Sequence, residues 1–360
     1  MMRRTGLFTL YGVTIAAVIA AVVLSIGGGR AGTNPLVDRP VLTDLASHLA
    51  TVARLTVVHG DNKTTLLRQH GVWVVGQKDD YPADQKKMKR ILLGLAALRY
   101  GEPKTANPKL YSRLDVEDAG KKGSDSRLLT LSDAKGRLMD ELIVGKRRYG
   151  IFGNGNDGIY VRKPGQKQSW LAKGSVELPI ESLGWINRTI SMIPLHRIKS
   201  ARFIAPDGKI SVYISRDKKG AKFILAGGIP KGKKLKDADA LNELGRTLDY
   251  FSLNDVKPAK DLPFPANKTY RAIYTTFNGL TVSATMIEHD EITKDDNGNS
   301  TDTKKYWVKL HATGHGKAAA KEAASLDHRV DAWTYAVPKY KAADFKATLA
   351  GLFAHAKKSS

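Results

Sequence analysis

The amino-acid sequence predicts an α+β protein: an N-terminal transmembrane helix followed by two similar repeats of antiparallel strands, each with a packed helix. Three observations predict it. A long uncharged run lies near the start, short strand-like runs separated by turn residues dominate the rest of the chain, and the same order of elements recurs about 145 to 155 residues later.

The uncharged run decides topology. Between Arg4 and Arg30 lie 25 residues without Asp, Glu, Lys, Arg or His, centred on Leu7 to Ile26 (LFTLYGVTIAAVIAAVVLSI). At a rise of about 1.5 Å per residue, such a stretch crosses a hydrocarbon core of roughly 30 Å. The rival reading is a cleaved signal peptide, because Arg3 and Arg4 form a basic start and Gly29-Arg30-Ala31 loosely resembles a cleavage site. The run exceeds the roughly 7 to 15 apolar residues of a signal peptide, and an Arg sits inside the would-be site; both favour an anchor. Residues 1–30 are therefore read as a cytoplasmic tip and anchor, with membrane lipid contacted by residues 7–27. Arg3 and Arg4 favour the short N-terminus staying in the cytoplasm. The expected location is the inner cell membrane, spanned once, with the main domain periplasmic.

Residues 31–50, rich in Gly, Pro and polar side chains, read as a juxtamembrane linker. The first repeat is assigned to residues 51–195. It opens on three short strands between Arg54 and Val75, with turns at Gly60-Asp61-Asn62 and His70-Gly71. Pro82-Ala83-Asp84 then opens a helix that Asp84 can cap, with Met88, Ile91, Leu92, Leu95 and Leu98 as its apolar stripe. The second repeat is assigned to residues 196–360. Its strands are expected at Arg202 to Ala205, Lys209 to Ser215 and Lys222 to Ala226, followed by a helix starting near Asp237 or Asp239 with stripe Leu241, Leu244, Leu248 and Phe251. Hairpins match as well: Leu128 to Val144 turns at Asp133-Ala134-Lys135-Gly136, and Arg271 to Ile287 turns at Asn278-Gly279. A Tyr-containing strand comes after each, at Ile159 to Arg162 and Tyr306 to Lys309. A C-terminal helix is expected with stripe Phe345, Leu349, Leu352 and Phe353. A period this long is a duplicated domain and not a solenoid unit.

These features in this order carry a family resemblance. An N-terminal span, Gly71 and Trp73 in a strand-rich start, Tyr81-Pro82-Ala83-Asp84 at a helix start, Leu110-Tyr111 to Leu114, and Trp185-Ile186-Asn187-Arg188 to Ile198 resemble the bacterial DUF4340 family, a domain of unknown function. One departure is Ser112-Arg113-Leu114, where family members often carry a Gly-Leu pair. The resemblance implies a membrane-tethered protein working beside ABC transporters of the gliding-motility type, with permease and ATPase subunits as partners. It brings no catalytic residues.

Composition narrows the chemistry. Lys and Arg outnumber Asp and Glu by 58 to 35, a net charge of +23, which favours an anionic partner or surface. The absence of cysteine excludes disulfides, thiolate metal sites and thiol nucleophiles. Gly153-Asn154-Gly155-Asn156-Asp157-Gly158 lacks the closing Glu of a calcium loop and the Lys-Ser/Thr of a phosphate loop, so it reads as a tight turn. Asp295 to Asp302 occupies the equivalent place in the second half. His311 and His315, four apart, read as exposed loop residues because Ala-Thr-Gly between them is poor helix. Asp115, Glu117 and Asp118 read as a solvated loop, and no G-x-S-x-G elbow is present. No cofactor or metal is expected.

Three basic clusters supply the candidate contacts for an anionic partner: Lys86, Lys87 and Arg90; Lys146, Arg147 and Arg148; and Lys231, Lys233, Lys234 and Lys236. The expected function is a non-enzymatic accessory protein of the envelope, assisting an ABC-type export complex. The alternatives are a tethered binder of an anionic glycan or lipid and a hydrolase of envelope polymers. Nucleic acid is not expected as a partner.

Overall fold

The structure, a computed structural model, describes residues 34–121, 123–153, 155–294 and 300–354. The apolar run at residues 7–27 lies outside them. Among the described residues no helix is long and apolar enough to cross a membrane.

The fold is rich in antiparallel sheet with few helices. After a short helix α1 (Leu45–His48) come β1 (Arg54–His59), β2 (Asn62–Gln69), β3 (Val72–Val75) and β4 (Tyr81–Pro82). The strands form where β-branched and aliphatic residues alternate. In β1, Leu55 and Val57 are fully buried while their neighbours are not, the period-two signature of a sheet with one covered face. His70 and Gly71 take positive φ at the β2–β3 turn. Helix α2 (Gln85–Ala97) comes next, its first turn capped as expected: the Lys87 amide donates to Asp84 Oδ1 at 3.0 Å. All five residues of its anticipated stripe, through Leu98, are buried. Then come β5 (Arg99–Pro103), β6 (Arg127–Ser132), β7 (Leu138–Arg148), β8 (Gly158–Arg162) and β9 (Ser169–Lys173). The sheet order is β4-β3-β2-β1-β6-β7-β8-β9-β5.

The remaining strands are β10 (Thr189–Ser191), β11 (Ile198–Ile204), β12 (Ile210–Ser215), β13 (Ile224–Leu225), β14 (Phe251–Ser252), β15 (Asp255–Pro258), β16 (Tyr270–Thr276), β17 (Leu280–Lys294), β18 (Ser300–Gly314) and β19 (Trp333–Val337). The helices are α3 (Ala240–Gly245), α4 (Lys317–Val330), α5 (Lys339–Phe345) and α6 (Leu349–Leu352). β10 pairs only with β14, and the rest of the strands form a sheet ordered β13-β12-β11-β16-β17-β18-β19-β15. That is the succession β3-β2-β1-β6-β7-β8-β9-β5 of the first sheet, position for position. In both, a strand that follows the helix, β5 in the first sheet and β15 in the second, lies at the far edge and pairs with the last strand.

In the second sheet Phe203, Val212, Tyr274, Val282, Met286 and Val308 alternate inward and are almost completely buried. Helix α3 packs on β11, α4 on β17 and β18, and α5 on β16 and β18. On the other face, Ile287, Trp307, Ala336 and Leu262 form a smaller cluster against Phe264. By contacts the chain divides into two compact units. One takes the described residues up to Lys63 with Lys89–Ile180, the other Thr64–Met88 with the described residues from Glu181 onward.

Several elements differ from expectation. The second expected helix stops at Gly245; Leu248 and Phe251 are buried as anticipated, but Phe251 begins β14. A Cβ on Gly245 would lie 2.6 Å from the Phe223 ring, so the helix end is pressed against its neighbour. The C-terminal helix is broken into α5 and α6, because Thr348 turns out of helix and accepts the Gly351 amide at 3.1 Å as a new cap. Leu349 is consequently exposed. Helix α4 has no counterpart in the sequence reading. His311 is exposed but lies on β18 opposite Ser283, not in a loop. Of the turn read at Gly153 to Gly158, Gly153 and Gly155 take positive φ, and Asn154 lies outside the described residues. In the second half, residues 295–299 lie outside the described residues, and Ser300 to Asp302 pair with Lys294 to Ile292 on β17.

Candidate functional site

The stretch from Trp185 to Ile198 is built like a strap. Trp185, Ile186, Ile190, Ile193 and Ile198 are its buried anchors, each at most 5% exposed. Its backbone is tied at both ends within the second unit: the Asp84 amide donates to Trp185 O at 2.8 Å, Leu253 N–H to Arg188 O at 2.9 Å, and Ile193 N–H to Leu248 O at 3.2 Å. The register of β10 on β14 slips between Thr189 and Ser191. Slips of this kind re-aim backbone groups, and the Ile190 carbonyl here accepts Arg329 Nη2 from α4 at 3.1 Å.

Between this strap and α4 lies a groove of about 620 Å³. Helix α4 divides its residues by spacing. Ala319, Ala323, Leu326 and Val330 fall on one stripe and are buried on the sheet. Lys321, Glu322, Ser325 and Arg329 line the groove opposite Thr189 to Ile193. The volume lies within the roughly 300 to 1,000 Å³ typical of ligand sites.

The groove's electrostatics are asymmetric. Arg197 holds Glu322 through two hydrogen bonds of 2.8 and 2.7 Å, and Asn278 bridges the pair at 3.2 Å from Arg197. The Arg197 hydrogen bonds hold the Glu322 carboxyl below its ordinary range, so its charge is present and already answered. Lys321 and Arg329 are exposed, and no carboxylate lies within ion-pair distance of either among the described residues. The groove thus presents two cations unmatched by a carboxylate over an apolar floor of Ile190, Ile193 and Leu326.

A second charged constellation lies in the same unit. Lys78 and Asp255 (2.6 Å), Lys305 and Asp255 (3.5 Å), Lys305 and Glu291 (2.8 Å), and Lys257 and Glu291 (2.8 Å) form a chain of three ammonium groups and two carboxylates. Lys257 also stands 4.8 Å over the Trp307 ring. Burial raises the Glu291 carboxyl, but hydrogen bonds from Lys257 and Lys305 and their charges outweigh it and bring it down to about 2. A carboxylate so held is a fixed charge at neutral pH, not a proton carrier.

The anticipated cationic clusters differ in what surrounds them. Lys146 pairs with Asp115 at 3.1 Å, Arg147 Nε donates to Asp157 at 3.0 Å, and Arg148 donates to Tyr160 Oη at 3.4 Å. Arg147 and Arg148 thus serve the β7–β8 hairpin, and Lys146 ties β7 to the segment at Arg113 and Asp115. On α2, Lys87 donates to Gly184 O at 2.5 Å, while Lys86 and Arg90 are exposed. Lys231, Lys233, Lys234 and Lys236 are all exposed, with no carboxylate in ion-pair reach among the described residues. Their loop is fastened to the segment after α6 by an Ala354 amide to Lys234 O bond of 2.9 Å and to α6 itself by a Lys236 amide to Leu352 O bond of 2.9 Å. Two of the three acids read as a loop have separate partners: Asp118 holds the buried Arg162 at 2.5 Å and Asp115 holds Lys146, while Glu117 keeps one buried carboxylate oxygen without a hydrogen bond. His311 Nδ1 sits 3.0 Å from Asp327, and among the described residues no three His, Asp or Glu side chains converge on a metal-sized space.

The family model of a domain of unknown function, DUF4340, matches residues 73–270. The chain belongs to the DUF4340 family. No curated protein matches it. The DUF4340 match contains the strap, with Asn187 and Arg188, and ends before α4, so one wall of the groove lies within the matched family region and the other outside it. Sequence reasoning found the strap through that resemblance and missed α4. Its Lys317 to Ala324 run (KAAAKEAA) has high helix propensity, but alanines at the core positions give a weak apolar stripe.

Proposed function

We propose that this chain is a non-enzymatic, membrane-tethered accessory protein of the cell envelope that assists an ABC-type export complex. In this reading residues 7–27 cross the inner membrane once, the N-terminus stays cytoplasmic, and the folded part works on the periplasmic side. The observation that carries the reading is the groove between the strap and α4. It offers backbone, apolar floor and two cations without carboxylate partners, the makeup of a docking surface; Glu322, the one acid lining it, is committed to Arg197. The shared strand order supports treating the two sheets as similar repeats of one α+β unit. The export complex as partner rests on the family resemblance.

Affinity purification of the gently solubilised full-length protein from its native membrane tests the proposal. Recovery of a permease and an ATPase is the expected result. Recovery of the protein alone would refute it.

A second reading, a tethered binder of an anionic glycan or lipid, is favoured by one observation: the loop with Lys231, Lys233, Lys234 and Lys236 has no carboxylate in ion-pair reach among the described residues. Such binding would weaken steeply as salt is added.

A further inference from the structure

We propose that the groove between residues 187–193 and α4 binds an extended acidic peptide segment whose carboxylates stand four residues apart. The inference rests on the accessory-protein reading, in which the groove meets a partner protein, and names the chemistry of the segment it takes.

The argument begins with spacing. Lys321, Ser325 and Arg329 recur every four residues along one face of α4 and all line the groove. Eight residues of helix separate the two cations, about 12 Å along the axis. In an extended chain, side chains on one face recur at about 6.6 Å, so residues i and i+4 lie about 13 Å apart. An extended segment lying along α4 therefore brings two carboxylates to Lys321 and Arg329, with its middle residue over Ser325. Helical or compact ligands do not offer that distance on one face at that length.

Charge complementarity selects the ligand's sign. Glu322, the one acid lining the groove, is held by Arg197, so no lining carboxylate answers Lys321 or Arg329; Arg329 gives one Nη2 hydrogen bond to the Ile190 carbonyl, and its guanidinium has further donors. A single phosphate or lipid headgroup needs cations that converge on one point, and these stand two helical turns apart. The floor selects the middle residue. Ile190, Ile193 and Leu326 are buried beneath the groove, and Met192, 58% exposed, lies at its edge where an unbranched thioether can adapt to an apolar neighbour. The residue at i+2 is thus small or aliphatic, and those at i+1 and i+3 face water.

The test uses full-length protein in detergent and a fluorescein-labelled peptide, Ser-Glu-Thr-Val-Thr-Glu-Ser, read by fluorescence anisotropy. Saturable binding is expected, weakened at least tenfold when both Glu are replaced by Gln or when the second Glu is moved one position nearer. The exposed pair K321E/R329E should lose binding at least tenfold and recover it toward a peptide with Lys in both Glu positions, which shows that the variant is folded. K233E/K234E should bind as the parent does. Absence of binding, equal affinity for both Glu spacings, or equal loss in K233E/K234E would overturn the proposal. So would a groove variant that loses binding to phosphatidylglycerol vesicles or polygalacturonate but not to the peptide. Affinity purification with K321E/R329E separates the two readings. If the peptide fails to bind while permease and ATPase are still recovered, the inference falls and the accessory role stands. Peptide binding without any recovered partner would leave the groove assignment and remove the accessory role.

Discussion

Asp344, on α5, shows how a single residue here depends on distant parts of the chain. Its carboxylate accepts Thr247 Oγ1 at 2.8 Å across 97 positions. Lys341, one turn before it, spends its ammonium on the carbonyls of Thr247 and Asp249, both at 3.1 Å. Burial raises the Asp344 carboxyl to about 6, and the Thr247 hydrogen bond and Lys341 charge offset only part of that. The folded state therefore keeps a proton that the unfolded chain, titrating near 3.8, has released. Stability from this group is full below pH 3.8, falls as pH rises toward 6, and is gone above it, a loss of up to about 3 kcal/mol. D344N keeps an acceptor for Thr247 without the charge. It is expected to be more stable than the parent at pH 7.5 and to lose the slope between about pH 4 and 6, as measured by urea unfolding. A D344N protein less stable at pH 7.5, or with the slope intact, would contradict this account. The flanking residues Ala343 and Phe345 give no hint of it, because the burial comes from folding and the partner from another element.

At the scale of elements, α4 is the decisive piece, since it covers the second sheet and builds one wall of the groove. It lies so close to β18 that a Cβ on Gly314 would collide with the backbone carbon and oxygen of Ala319. No flexible side chain is there to yield. G314A is expected to cost about 3 kcal/mol, since overpacking must displace the helix. G316A, two residues on, faces open space and carries only the strain of its φ of 87°, so it should cost distinctly less. Thermal unfolding of the two variants side by side checks the ranking, and equal stabilities would mean that the close approach is not maintained. The contrast between α2 and α4 explains which helices the sequence reveals. Met88, Ile91, Leu92 and Leu95 mark α2 with large apolar side chains, whereas α4 is seated on Ala319 and Ala323, which leave almost no hydrophobic signal. The expected helix around Leu241 differs for another reason: its apolar spacing continues through Leu248 and Phe251, but tertiary packing at Gly245 ends the helix first.

For the whole molecule, the shared strand order of the two sheets matters more than any single strand. Each sheet carries at its far edge a strand that follows its helix, β5 or β15, a long-range pairing that local sequence does not encode. The tether proposed for residues 7–27 makes its own prediction. With protease added to spheroplasts, the folded part should be digested while a cytoplasmic marker is spared, and it should be protected when the inner membrane is closed around it by inversion. Protection in spheroplasts would place the fold on the cytoplasmic side and remove the proposed topology. The basic charge also reads differently at this scale. Lys146 and Arg147 are conspicuous as a run, yet acids brought close by the fold answer them, whereas Lys231, Lys233, Lys234 and Lys236 remain exposed on a loop fastened to Leu352 and Ala354.

By itself the sequence determined the local layer of this protein: strands where residues alternate, turns where Gly and Asp tolerate positive φ, the Asp84 cap, and the long uncharged run near the start. Those features depend on neighbours within a few positions, which is the range over which backbone hydrogen bonding and side-chain periodicity act. Tertiary structure alone decided the rest. The pairing of Arg197 with Glu322 joins residues 125 positions apart, the raised Asp344 needs an enclosure assembled from separate elements, and the groove exists only because α4 is laid beside residues 187–193. Burial and charge pairing depend on distance in space, and a linear pattern does not carry that distance.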